Sequence, residues 1–140
     1  MAGMQVFLER LSEMKHFYEG IDQRWDRRAT LLNERLQAEH LPLRVVNLSS
    51  IWSVCYTQPS RYNWMLQYYL RAEGLALSWI GTGRLVFSLN YSDADFAAVE
   101  ERFVAAARAM RAGGWWWADP ALTNKSIRRK IFREMLSQRF

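Results

Sequence analysis

At 140 residues the chain has the size of one domain, long enough to bury a modest core. Half of its residues are hydrophobic, which excludes a disordered chain, and no apolar run approaches the ~20 residues that cross a bilayer. The net charge of +5 is concentrated: residues 1–122 balance acids against bases, and the excess comes from Lys125, Arg128, Arg129, Lys130, Arg133 and Arg139, opposed only by Glu134. An anionic partner would therefore meet the tail alone, and neither nucleic acid nor membrane is expected as a partner. Cys55 is the only cysteine, which excludes an internal disulfide. The start of the chain lacks the basic region and apolar run of a secretory signal, so a cytoplasmic location is expected.

In chain order, Phe7, Leu11, Met14, Tyr18, Ile21 and Trp25 recur at helical spacing. Leu32 and Leu36 continue the stripe beyond polar Asp26–Arg28. Gly20 is its weak point, where a kink or break is expected. Leu41-Pro42 ends the helical region, because the residue before proline is pushed out of helical backbone. Leu43–Leu48 and Ile51–Tyr56 read as strands separated by Ser49-Ser50. After Gln58-Pro59, Ser60 is a helix N-cap candidate, and Tyr62, Met65, Leu66, Tyr69 and Leu70 give a short helix closed by Gly74. Leu75, Leu77 and Trp79 alternate with smaller or opposing residues as a strand, Gly81-Thr82-Gly83 turns, and Leu85, Phe87 and Leu89 return. Ser92 caps the next helix, with Asp93 and Asp95 at the positive end of its dipole. Phe96, Val99, Phe103, Ala107 and Met110 form its apolar face, and Gly113-Gly114 stops it.

The order helix, two strands, helix, two strands, helix predicts an α+β layer on a small, mainly antiparallel sheet. Trp115-Trp116-Trp117 and Ala118-Asp119-Pro120 then link to a basic amphipathic helix with Ile127, Ile131, Phe132, Met135 and Leu136 on its apolar side. Residues 1–114 are expected to form the body, and residues 115–140 a Trp-rich linker and helical tail.

Leu75–Phe96 reads LALSWIGTGRLVFSLNYSDADF, and Pro42–Tyr56 reads PLRVVNLSSIWSVCY. Together these segments resemble the C-terminal small domain of class III pyridoxal-phosphate-dependent aminotransferases. The likeness is to glutamate-1-semialdehyde 2,1-aminomutases and to aminotransferase modules of polyketide and nonribosomal peptide synthases. In that family a Ser-Leu-Ala-His-Thr-like strand end leads into Asp-x-Asp-hydrophobic, where this chain has Phe87-Ser88-Leu89-Asn90-Tyr91-Ser92-Asp93-Ala94-Asp95-Phe96. Met110-Arg111-Ala112-Gly113-Gly114-Trp115 is similar to the end of the last helix in the synthase modules. The resemblance spans about Met4 to Gly114 and leaves the tail out. It implies a sheet of three or four mainly antiparallel strands with helices on one face.

The resemblance also implies a division of labour. The cofactor lysine and the acid that protonates its pyridine belong to a large domain, which would precede Met1. Lys15, Lys125 and Lys130 fall in no family motif, so the chain alone is expected to bind no cofactor and to be inactive. Its partners would be that large domain, a second copy in a homodimer, and an amino or keto acid or carrier-bound substrate. The small domain closes over the substrate, and Arg84 aligns with an arginine that binds the substrate carboxylate in many members. A solvated arginine at a hairpin is the other reading of Arg84. Ser49, Ser50 and Trp52 align with a Gly-Ser-Met/Leu-Phe stretch at the active-site entrance, or form an ordinary bend between strands. Ser49 stands where the family has the glycine.

Other chemistries fail on the residues. His16, His40 and Cys55 are scattered and offer no metal-ligand spacing. There is no Gly-x-Ser-x-Gly elbow, and Gly81-Thr82-Gly83 lacks the third glycine of a dinucleotide fingerprint. Glu100-Glu101 reads as a solvated helix face. The tryptophan run next to basic residues could stack bases or anchor at a lipid surface, but packing against the body or a partner is the stronger reading. The rival to an aminotransferase domain is a freestanding interaction module that uses the tryptophans and the basic helix to hold a protein.

Overall fold

The computed structural model describes residues 2–13, 18–76 and 84–137. Its elements are α1 (Ala2–Glu13), α2 (Ile21–Ala38), β1 (Leu43–Leu48), β2 (Ile51–Tyr56), a 3-10 turn (Asn63–Met65) running into α3 (Leu66–Ala72), β3 (Arg84–Val86), α4 (Asp93–Ala112) and α5 (Asn124–Ser137). The expected α+β class is present, built on an antiparallel sheet of order β1-β2-β3. The strand and turn expected over residues 77–83 lie outside the described residues.

The helical stripe at the start of the chain breaks where expected. Gly20 has φ 66°, a left-handed conformation that glycine reaches without a Cβ clash, and α2 begins at the next residue. From there Trp25, Ala29, Leu32 and Leu36 are buried on one side of α2. The helix ends with His40 at φ 52° and with Leu41 N–H donating to Leu36 O at 3.0 Å. The same closure ends α4, where Gly114 (φ 74°) leads to Trp115 N–H on Met110 O at 3.1 Å. At the start of α4 the capping box is complete. Ser92 Oγ accepts from Asp95 N–H at 3.2 Å, and Asp95 Oδ2 accepts from Ser92 N–H at 2.9 Å.

Ser60 does not cap the short helix. Its Oγ accepts from Tyr62 N–H at 3.2 Å, which shapes the turn before the 3-10 segment, and the cap residues of that segment and of α3 make no side-chain cap bond. The returning strand is also shorter than its alternation suggests, spanning Arg84–Val86, although Phe87 N–H still reaches Ser50 O at 3.0 Å.

Strand β1 lies at a sheet edge, and α2 covers part of its unpaired backbone. The Asn33 amide both donates to Val45 O (2.9 Å) and accepts from Val45 N–H (2.7 Å), as a neighbouring strand would. Leu43, Val45, Trp52 and Leu85 point into the core. There Trp25, Trp52, Phe87 and Phe96 form one aromatic cluster with centroids 5.2–6.1 Å apart. Helix α4 extends this core with Phe103, Val104, Ala107 and Met110, against Leu66 and Leu70 at the two ends of α3's buried side.

Candidate functional site

Side chains of a strand alternate between faces, so the residues beside the core positions share the opposite face of the sheet. The pairing register sets them in rows: Leu48–Ile51–Val86, then Val46–Ser53–Arg84, then Arg44–Cys55. The first row is apolar and bare. Leu48 is 78% exposed, Val86 72% and Ile51 48%. A contiguous apolar row on an open sheet face is unusual for a surface that meets only water. Arg84 stands beside it, exposed, and also borders a cleft of about 470 Å³ shared with Leu75, Phe87, Tyr91 and Val99.

The structure brings three of the four aligned residues together at one end of this sheet. Ser49 takes φ 50°, the left-handed backbone that favours glycine, at the position where the resembled family has one. Its carbonyl accepts from Trp52 Nε1–H at 3.2 Å and from the Asn47 amide at 3.4 Å, which holds the two-residue turn in place. Ser50 links that turn to β3 through Phe87. Trp52 is fully buried in the aromatic cluster and lines no surface. Arg84 pairs with Ser53, about 10 Å along the strand from Ser50.

The tail is fastened to the body through the tryptophan run. Trp116 Nε1–H donates to Ala107 O at 2.9 Å, and the Gln58 amide donates to Trp116 O at 3.1 Å. Tyr62 lies between Trp115 and Trp117, with centroids 5.4 and 6.2 Å away. Arg61 grips Glu134 of α5 with two bonds of 2.9 and 3.3 Å, which holds the glutamate carboxyl below its usual range. Packing thus accounts for Trp116, while Trp115 and Trp117 keep an exposed side beside Tyr62.

Tyr56, next to Trp116, has its hydroxyl pushed up to about 12 by burial. A phenol with a raised folded-state value stabilises the fold below its unfolded value near 10, and the contribution is lost as pH rises toward about 12. In an alkaline titration followed at the tyrosinate absorption band, Tyr56→Phe is expected to remove a late-ionising component near pH 12. It should also flatten the loss of stability over that window.

Sequence reasoning missed Arg28, which is 5% exposed. It donates to Asp93 at 2.7 and 3.2 Å and to Tyr91 O at 3.0 Å, tying α2 to the start of α4. The available signal was a cation one turn after Trp25, inside the apolar stripe. Glu100 and Glu101 are likewise more than a solvated face, since Arg35 of α2 reaches both, at 3.2 and 2.7 Å.

Among the described residues, no three His, Cys, Asp or Glu side chains are grouped to hold a metal ion, and no helix is long and apolar enough to cross a membrane. Compared with known proteins, the chain matches no family model and no curated protein.

Proposed function

We propose that this chain is the C-terminal small domain of a class III, pyridoxal-phosphate-dependent aminotransferase or aminomutase, and that it closes over the substrate held by a larger domain. One observation carries the reading: a three-stranded antiparallel sheet has helices on one face and a bare apolar row, flanked by Arg84, on the other. A face of this kind belongs against another body. The left-handed Ser49 at the family's glycine position and the Ser92–Asp95 capping box at its Asp-x-Asp motif support the same reading.

On this reading Arg84 offers its planar guanidinium to a substrate carboxylate. On the same reading the cofactor lysine is not one of this chain's own. Lys125 and Lys130 are exposed on α5, and Lys15 lies outside the described residues. The cofactor is assigned to the larger domain.

Two measurements on the purified chain test this. A pyridoxal phosphate titration with borohydride trapping is expected to give no saturable band and no single modified lysine. Sedimentation is expected to show self-association, which Ile51→Lys with Val86→Lys abolishes. A one-to-one lysine adduct would overturn the reading. A monodisperse monomeric wild type would replace it with the freestanding interaction module.

A further inference from the structure

The tail helix is docked in an unexpected orientation. Ser126, Ile127 and Glu134 of α5 are half-buried toward the body, and Ile127, Lys130 and Ile131 border a small cavity of about 160 Å³ with Tyr62 and Trp117. The apolar side expected for this helix is therefore split. Ile127 turns inward and Ile131 (37% exposed) borders the same cavity, while Phe132 (62%), Met135 (63%) and Leu136 (45%) face outward.

At 100° per residue the outward face carries two unlike halves. Its first turns present Lys125, Arg128 and Arg129, its last turns present Phe132, Met135 and Leu136, and Arg133 lies at their junction. All four cations are exposed, and no ion-pair partner stands by them among the described residues. Glu134, the helix's one acid, is turned inward and engaged by Arg61.

The charge order is also electrostatically unfavourable. The first turn of α5 has no acidic residue, so Lys125 sits at the positive end of the helix dipole, where anions are favoured. An external anion would relieve that repulsion.

We propose that the outward face of α5 docks an acidic amphipathic helix of a protein partner, with carboxylates on Lys125, Arg128 and Arg129 and an apolar ridge on Phe132, Met135 and Leu136. The layout favours a protein over an anionic lipid surface. An interfacial helix needs one continuous apolar side with cations on the other. Here Ile127 is half-buried against the body and Ile131 borders the cavity beside it, so the full apolar set could be presented only by undocking the helix. This surface lies outside the region of family resemblance and does not depend on the aminotransferase reading.

The test is fluorescence anisotropy of the full chain with a labelled peptide as long as α5, bearing Leu on one face and Glu on the other. A Glu→Gln twin and vesicles of equal phosphatidylcholine and phosphatidylserine run in parallel. The acidic peptide is expected to bind, to weaken with salt, and to lose affinity about tenfold or more with Arg128→Glu/Arg129→Glu/Arg133→Glu. Phe132→Ser/Leu136→Ser is expected to weaken it as well, and the Gln twin should not bind. Since these positions are exposed and Glu suits a helix N-terminus, the far-ultraviolet circular dichroism should persist. If it falls, the Arg→Gln triple replaces the reversal, with loss expected in the same direction. Absent peptide binding, or binding unchanged in either variant, overturns the proposal. Vesicle binding through the same residues, without peptide binding, assigns the face to anionic lipid instead.

Discussion

Trp52→Ala is expected to be the most damaging single substitution in the sheet, costing about 3–5 kcal/mol, as large-to-small changes of buried aromatics do. Trp52 is completely buried, and its ring meets Trp25, Phe87 and Phe96 at 6.1, 5.3 and 5.2 Å. Removing it opens a cavity between α2, the sheet and the start of α4. It also removes the Nε1–H donor that steadies the left-handed Ser49 turn. Marginal domains of this size have only about 5–15 kcal/mol in total, so much of the protein is expected to be unfolded by a moderate urea concentration. Trp52→Phe should recover most of the loss. Trp64→Ala, at a site 63% exposed, is the control and should cost less than about 1 kcal/mol. Urea midpoints for the three variants decide it. A Trp52→Ala midpoint like that of Trp64→Ala would mean that the aromatic cluster does not hold the sheet to its helices.

This contrast separates what the sequence makes legible from what it hides. Helix and strand identity came from local period. Trp25, Leu32 and Leu36 mark one side of α2, Ser92 and Asp95 mark the start of α4, and Gly20 and Gly114 mark breaks that only a positive φ can make. What local period does not carry is which of two neighbouring polar or aromatic residues turns inward. Trp52 sits in a stretch that the resemblance would place at an active-site entrance, yet strand alternation and the β1 pairing bury it. The Ser60 cap failed because the chain forms a 3-10 turn before α3, which moves the first helical amides out of reach. The split of α5's apolar residues was hidden as well. A single long-range contact, Arg61 with Glu134 across 73 positions, is part of what orients the helix, and no window along the tail contains both.

Arg28 is the second large expected effect and the least foreseeable one. Arg28→Ala is expected to cost roughly 2–3 kcal/mol, because it removes a buried stem, charge-assisted bonds and stacking together. The guanidinium carbon lies 4.6 Å from the Trp25 ring centre and 5.2 Å from that of Phe96, while its donors reach Asp93 and the Tyr91 carbonyl. Only a planar, forked cation serves all of these at once, so Arg28→Lys should recover little. Arg28→Met should recover more than Arg28→Lys, since it restores the packed stem and introduces no unpaired buried charge. Asp93 remains hydrated when Arg28 is lost, being 90% exposed, which keeps the penalty below that of a fully buried pair. The acid limb supplies an independent readout. Arg28 holds the Asp93 carboxyl below the ordinary aspartate range. The depressed value means that the pair's contribution is present above the unfolded-state value and is lost as pH falls through the folded one. Stability measured from neutral pH downward should therefore fall less steeply in Arg28→Met than in wild type, and Asp93→Asn should cost less in the Arg28→Met background than in wild type, keeping only its share from the helix dipole. Equal acid slopes in the two proteins would show that Arg28 acts through packing alone, with the anchoring of α4 to α2 owed to the aromatic rings on either side of it.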